Sequence, residues 1–134
     1  MASKISAIKT QLLADLAGTS IDKVYEGPID DCTTYPWAEV AFTGGSIDES
    51  MTQVVDRIYG MTIFVHALST EQVEVVMEEL AVLWHSGAKL TTLGALGCIL
   101  VVPDDHNPPF VYNDGTQGNV IGAMGFTFTV RLTV

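Results

Sequence analysis

The chain has 134 residues, 48% of them hydrophobic and 16% charged, which gives room for one domain with a real core and argues against a disordered chain. Six basic residues stand against sixteen acidic ones, a formal net charge of −10, and Lys4, Lys9, Lys23, Arg57, Lys89 and Arg131 are scattered. Holding nucleic acid by its phosphates needs clustered cations, and no apolar run approaches the ~18 residues of a membrane span, so both function classes are set aside.

In chain order, the first six residues lack the apolar core of a secretion signal. Cys32 and Cys98, far apart and in unlike contexts, are therefore expected as reduced thiols. Residues 3–16 read as an amphipathic helix with Ile5, Ile8, Leu12, Leu13 and Leu16 on one face and Gly18 as its stop. Residues 22–25 read as a short strand ended by Gly27 and Pro28, and 29–34 as irregular. In the strand 36–43, Ala38, Val40 and Phe42 alternate with Trp37, Glu39 and Thr43, and Gly44 and Gly45 end it. A polar loop with Asp48 and Glu49 then leads into a long strand over 54–68, so a hairpin with an extended connection is expected.

That long strand and the helix after it organise the chain. Tyr59, Met61, Ile63 and Val65 form a wholly apolar face, whereas Ile58, Thr62, Phe64 and His66 form a mixed, partly covered one. Ser69 followed three residues later by Gln72 marks a helix start over 70–86. Val73, Val76, Met77, Leu80, Leu83 and Trp84 repeat at three and four, and Gly87 reads as the stop. Residues 88–94 read as a turn or short helical piece, and 98–102 as a compact apolar strand halted by Pro103. Loops at 104–109 and 113–118 flank an extended 110–112. A last strand, 126–134, alternates Phe126, Phe128, Val130, Leu132 and Val134 with Thr127, Thr129, Arg131 and Thr133. This last strand, placed at a sheet edge and guarded only by the charge of Arg131, is expected to be used or covered, either by a neighbouring subunit or by the chain's own sheet.

The order α-β-β-β-α-β-(β)-β predicts a single α+β domain: a mostly antiparallel β-sheet with two α-helices packed on one face. The rhythm lacks regular βαβ units, which argues against a Rossmann fold.

No catalytic constellation stands out. His66, His85 and His106 read as satisfied or surface histidines. Asp104, Asp105, His106 and Asn107 lack the spaced carboxylates and tight-turn glycine of a calcium loop and read as a solvated turn. Glu71, Glu74, Glu78 and Glu79 lie mostly off the apolar stripe and read as a solvated helix face. Neither cysteine has partners at metal-ligand spacing, and the glycine pairs do not precede helices as phosphate-binding loops do. No enzyme activity and no cofactor are expected. A small oligomeric enzyme or ligand-binding domain, with a pocket of convergent polar groups between sheet and helix, is the rival reading from another class.

The assembled pattern resembles the tail terminator (tail completion) proteins of long-tailed bacteriophages. It is carried by the opening helix, Tyr35 and Pro36 leading to a strand that ends at Thr43, Gly44 and Gly45, and the acidic loop. It continues through the long strand with Arg57, Tyr59, Met61, Ile63 and Val65, the helix with Glu71 and Glu74, the strand ending at Val102 and Pro103, and the last strand. The likeness lies in length and element order over nearly the whole chain. It implies a virion protein at the head-proximal end of the tail, a homo-oligomer of six copies whose ring caps the tail tube. Such a ring ends tube polymerisation and offers head–tail connector or neck proteins a docking surface. It also implies DNA passing through the lumen without specific binding. Loops 44–53 and 104–118 are then the tube- or neck-facing candidates, with Gly44, Gly45, Asp48, Glu49, Asp104, Asp105 and Arg131 as interface residues. A head–tail adaptor or minor tail protein of the same assembly shares this layout.

Overall fold

The computed structural model describes residues 4–27, 34–44, 47–48, 54–104, 110–113 and 120–133. In chain order the elements are α1 (Lys4–Ala17), β1 (Lys23–Glu26), β2 (Trp37–Thr43), β3 (Ile47–Asp48), β4 (Val54–Ala67), α2 (Thr70–Leu83), α3 (Gly87–Ala95), β5 (Cys98–Pro103), β6 (Phe110–Asn113) and β7 (Val120–Thr133). One sheet takes the order β1-β2-β4-β7-β5, with β3 extending the line of β2 along β4 and β6 extending the line of β5 along β7. Every pairing is antiparallel except β1 with β2. The fold is the expected α+β arrangement.

The centre is the ladder of β4 on β7, in unbroken register from Val54↔Thr133 to Ala67↔Val120. Alternation along both strands decides which side is packed. Met61, Ile63 and Val65 of β4, Ala38 and Val40 of β2, and Met124, Phe126, Phe128 and Val130 of β7 turn to one face and are buried. Ile8, Leu12 and Leu16 of α1, Val76 and Leu80 of α2, Trp84 at its C-terminal cap and Leu93 of α3 close over them in one apolar cluster. Both long helices therefore share a face, since each has a single stripe to bury. Each fully buried aliphatic side chain contributes on the order of 1.5–3 kcal/mol. Phe128 anchors the centre, with Tyr59 stacked at 5.5 Å and Phe42 edge-on at 6.1 Å.

Local signals set the ends. In α1, Gly18 and Thr19 donate their N–H groups to Asp15 and Leu16 carbonyls, and the Thr19 hydroxyl donates to the same Leu16 carbonyl. At the start of α2 the Ser69 hydroxyl accepts from the Gln72 N–H at 3.2 Å, while the Gln72 side-chain oxygen accepts from the Leu68 N–H at 3.0 Å. This is the reciprocal cap that the sequence predicts, displaced by one residue on its return arm.

Four expectations are corrected. First, α2 ends at Leu83, and Gly87 opens α3 after the N-cap Ser86, so the short piece at 88–94 is a nine-residue helix. Second, β1 runs parallel to β2, with Lys23 opposite Trp37. The Asp22 N–H donates to the Pro36 carbonyl and the Gly27 N–H to the Val40 carbonyl, at either end of the pair. Gly27, with φ +87°, supplies the left-handed turn that leaves β1. Third, β7 begins at Val120, six residues before the predicted start. Fourth, β7 is not an edge: the chain's own sheet covers it, between β4 and β5, and the edges are β1 and β5.

Candidate functional site

The helix-free face of the sheet carries Trp37 and Glu39 of β2, Ile58, Thr62, Phe64 and His66 of β4, and Thr127, Thr129 and Arg131 of β7. His66 stacks on Trp37 with ring centroids 3.9 Å apart, and its Nε2 lies 3.5 Å from Glu39 Oε1. At the far end Arg131 and Asp56, directly opposite in register, form a two-pronged pair at 2.8 and 2.9 Å. The Arg131 hydrogen bonds hold the Asp56 carboxyl below its ordinary pKa, and Asp56 raises that of Arg131. Arg131 and Asp56 thus match one another's charge, and the middle of the face, Ile58, Thr62, Phe64, Thr127 and Thr129, is neutral.

The helix layer contains a polar knot that periodicity alone did not reveal. Asp15 is buried, and its carboxylate accepts from Trp84 Nε1 and Gln11 Nε2, both at 3.0 Å, with Lys89 Nζ at 3.8 Å. It thereby joins α1 to the end of α2 and the start of α3. Its spacing carries a signal: seven residues after Ile8 and three after Leu12 is the buried side of α1. Glu79 also departs from the expected solvated face, because its carboxylate accepts from the Ser20 N–H at 2.9 Å and the Ser20 hydroxyl at 2.6 Å. Glu71, Glu74 and Glu78 are exposed as expected.

An open groove of about 530 Å³ lies between the start of α2 and the turns before β1 and β2, lined by Ser20, Pro36, Leu68, Gln72, Val75 and Val76 among others. Three of its polar side chains are engaged, Ser20 with Glu79, Ser69 with the Gln72 N–H and Gln72 with the Leu68 N–H, while Glu71 is exposed to solvent. Asp56, Arg131 and Cys98, whose thiol burial pushes above its ordinary pKa, all lie away from the groove. Among the described residues no group of three or more His, Cys, Asp or Glu side chains could hold a metal ion. His85 is exposed just beyond α2, and its N–H donates to the Val82 carbonyl.

The residues expected at an interface do not form one cluster. Gly44 is exposed at the end of β2, Asp48 is in β3, and Asp104, half-buried after β5, donates its N–H to the Gly125 carbonyl. Arg131 is exposed on β7, near the start of β4. Gly45, Glu49 and Asp105 lie outside the described residues, as do Cys32 and His106. Loop 44–53 leaves β2 at Thr43, opposite Gly60 in the middle of the central ladder, and enters β4 at Val54, its first residue. Loop 104–118 starts near Gly125, opposite Thr62, and Asn113 and Val120 meet Ala67 at the other end, so the two loop regions lie towards opposite ends of the ladder.

The fold has a solved counterpart. A chain in the virion of a native gene transfer agent (GTA) particle matches over 93% of this chain and 92% of its own, with a TM-score of 0.50 and 12% sequence identity. At that identity the likeness is one of fold. No protein-family model and no curated protein matches the sequence.

The structure also exposes apolar residues that sequence reasoning missed. On α2, Val75 and Val82 are 46% and 64% exposed, in line with Leu68 at 57% just before the cap. Their seven-residue spacing was readable, since they fall opposite the stripe of Val73, Val76 and Leu80. On β5, Ile99 and Leu100 are 46% and 49% exposed. A continuous apolar run reads as a strand covered on both faces; here it is an edge, and the register shift between Cys98 and Leu100 adds to the exposure.

Proposed function

We propose that this chain is a structural protein of a phage-like virion, and within it the tail terminator: one domain per subunit, six subunits in a ring that caps the tail tube. The observation that carries the reading is the fold shared over nearly the whole chain with a component of a gene transfer agent particle. Element order and length resemble those of tail terminators independently of that likeness. The opposed placement of the two loop regions suits a subunit that meets the tube at one end and neck proteins at the other. A ring of subunits with −10 formal charge each sets up a strong negative field, which lets DNA pass without adhering. The role requires neither cofactor nor catalytic group.

Electron microscopy of finished particles tests this. A sixfold ring of this protein is expected at the head-proximal end of the tail, and deleting its gene should release control of tail length. Absence from the particles would overturn the virion reading; a ring higher in the neck, with tail length unaffected, would replace the terminator by a head–tail adaptor. At finer scale, Asp48→Lys with Glu49→Lys should leave folding intact and weaken attachment to the tube. Normal attachment of the folded double variant would remove loop 44–53 from that contact.

A further inference from the structure

We propose that the outer crest of α2 in one copy docks on the β5–α3 flank of the next. This deepens the ring reading and rests on it for the number of copies; the surfaces themselves are argued from this chain alone.

Leu68, Val75 and Val82 make an exposed apolar line directed away from the sheet, beside the open groove that Leu68 and Val75 help to line. It is flanked by the exposed carboxylates of Glu71, Glu74 and Glu78, and α2 contains no Lys or Arg. The opposite flank is complementary. Leu90 on α3 is 40% exposed, and on β5, a sheet edge, Ile99 and Leu100 are 46% and 49% exposed, Leu100 opposite Thr129 on the helix-free side. From Gly87 to Pro103 the only charged residue is Lys89. Lys4 lies against Gly97, just before β5, and its ammonium donates to the Arg131 carbonyl at 3.2 Å. In a chain with ten more acids than bases, an apolar flank with no carboxylate from Gly87 to Pro103, where Lys4 lies alongside and Lys89 reaches towards the buried Asp15, is the natural partner of an apolar line bordered by glutamates. The two surfaces cannot meet within one copy, because α2 packs over β4 and β7 with Val75 and Val82 outward while β5 lies at the edge beyond β7. A contact between unlike surfaces is head-to-tail, the kind that repeats around a ring.

Val82→Asp and Leu100→Asp test it. Both sites are exposed, so urea unfolding and circular dichroism should match the parent protein. Sedimentation and native mass measurements should show self-association of the parent protein and a loss of ~tenfold or more in each variant. Mixed in equal amounts, the variants should form a one-to-one pair and nothing larger, because each keeps one intact surface. Failure of the mixture to pair, normal assembly of Leu100→Asp, or a parent protein that stays monomeric at about 1 mM would each overturn the inference. Rings in particles that incorporate both variants normally would overturn it too while leaving the virion reading intact. Pairing in solution by a protein absent from particles would do the reverse.

Discussion

The two faces of the β4–β7 ladder are built from the same strands, yet they obey different physics. On the packed face, Met61, Ile63, Val65, Met124, Phe126 and Phe128 meet three helices and lose their water. On the other, Ile58, Thr62, Phe64, Thr127 and Thr129 are half-buried by their neighbours in the sheet. The difference teaches that alternation assigns a residue to a face, whereas its energetic weight depends on what covers that face.

A pair of equal truncations is the strongest way to break this comparison. Ile63→Ala should cost about 2–5 kcal/mol, and Ile58→Ala, on the open face, below ~1.5 kcal/mol. Urea denaturation of both variants checks it, and equal losses would mean that the open face is covered as well. Polar contacts give the next contrast. Asp15→Ala strands the buried Trp84 indole N–H and should cost about 1–3 kcal/mol. Asp15→Asn, which keeps an acceptor, should recover part of the loss.

Glycines sharpen the comparison further. A Cβ on Gly122, on the packed face, would lie 2.5 Å from Val73 Cγ1 and 2.7 Å from Met77 Sδ. Gly122→Ala should therefore push α2 outward and lower stability by about 1–3 kcal/mol. On the open face, a Cβ on Gly60 meets the Thr43 hydroxyl, which is exposed and can rotate aside, so Gly60→Ala should cost less. The smallest effect belongs to the Asp56–Arg131 pair. The Asp56 pKa is lowered in the folded protein, so its contribution is fully present above the ordinary aspartate value near ~3.9 and fades as pH falls through the folded pKa. Between pH 5 and 3 the thermal midpoint of the parent protein should fall further than that of Arg131→Ala, and the two curves should converge in acid.

Local chemistry was legible wherever a signal acts within a few residues. The Ser69–Gln72 cap, the Gly18 stop, the faces of β2 and β4 and the apolar stripes of both long helices follow from spacing. Strand order did not, because periodicity says which face a residue takes and nothing about which strand lies beside it. Hence β7 is placed at an edge by sequence, and the parallel pairing of β1 with β2 is not foreseen. The end of α2 was hidden because Trp84 continues the apolar stripe past the last helical turn, drawn inward by its bond to Asp15. Of the candidate interface, Asp48 falls in the short strand β3, whose pairing with β4 composition does not show, and the separation of the strand ends along the ladder depends on register. The Val75–Val82 line and the β5 edge were hidden because apolar residues are read first as core.

The place of β7 also sets a timetable. β4 and β5 are synthesised before the strand that separates them, and neither can complete its pairing until residues 120–133 have emerged. Until then β4 has an open apolar side, and joining it to β7 closes a span of more than fifty residues. Such non-local pairing makes folding slow and leaves a sticky intermediate on the ribosome. A nascent chain arrested before residue 120 should engage chaperones, and one extended past residue 133 should be released from them.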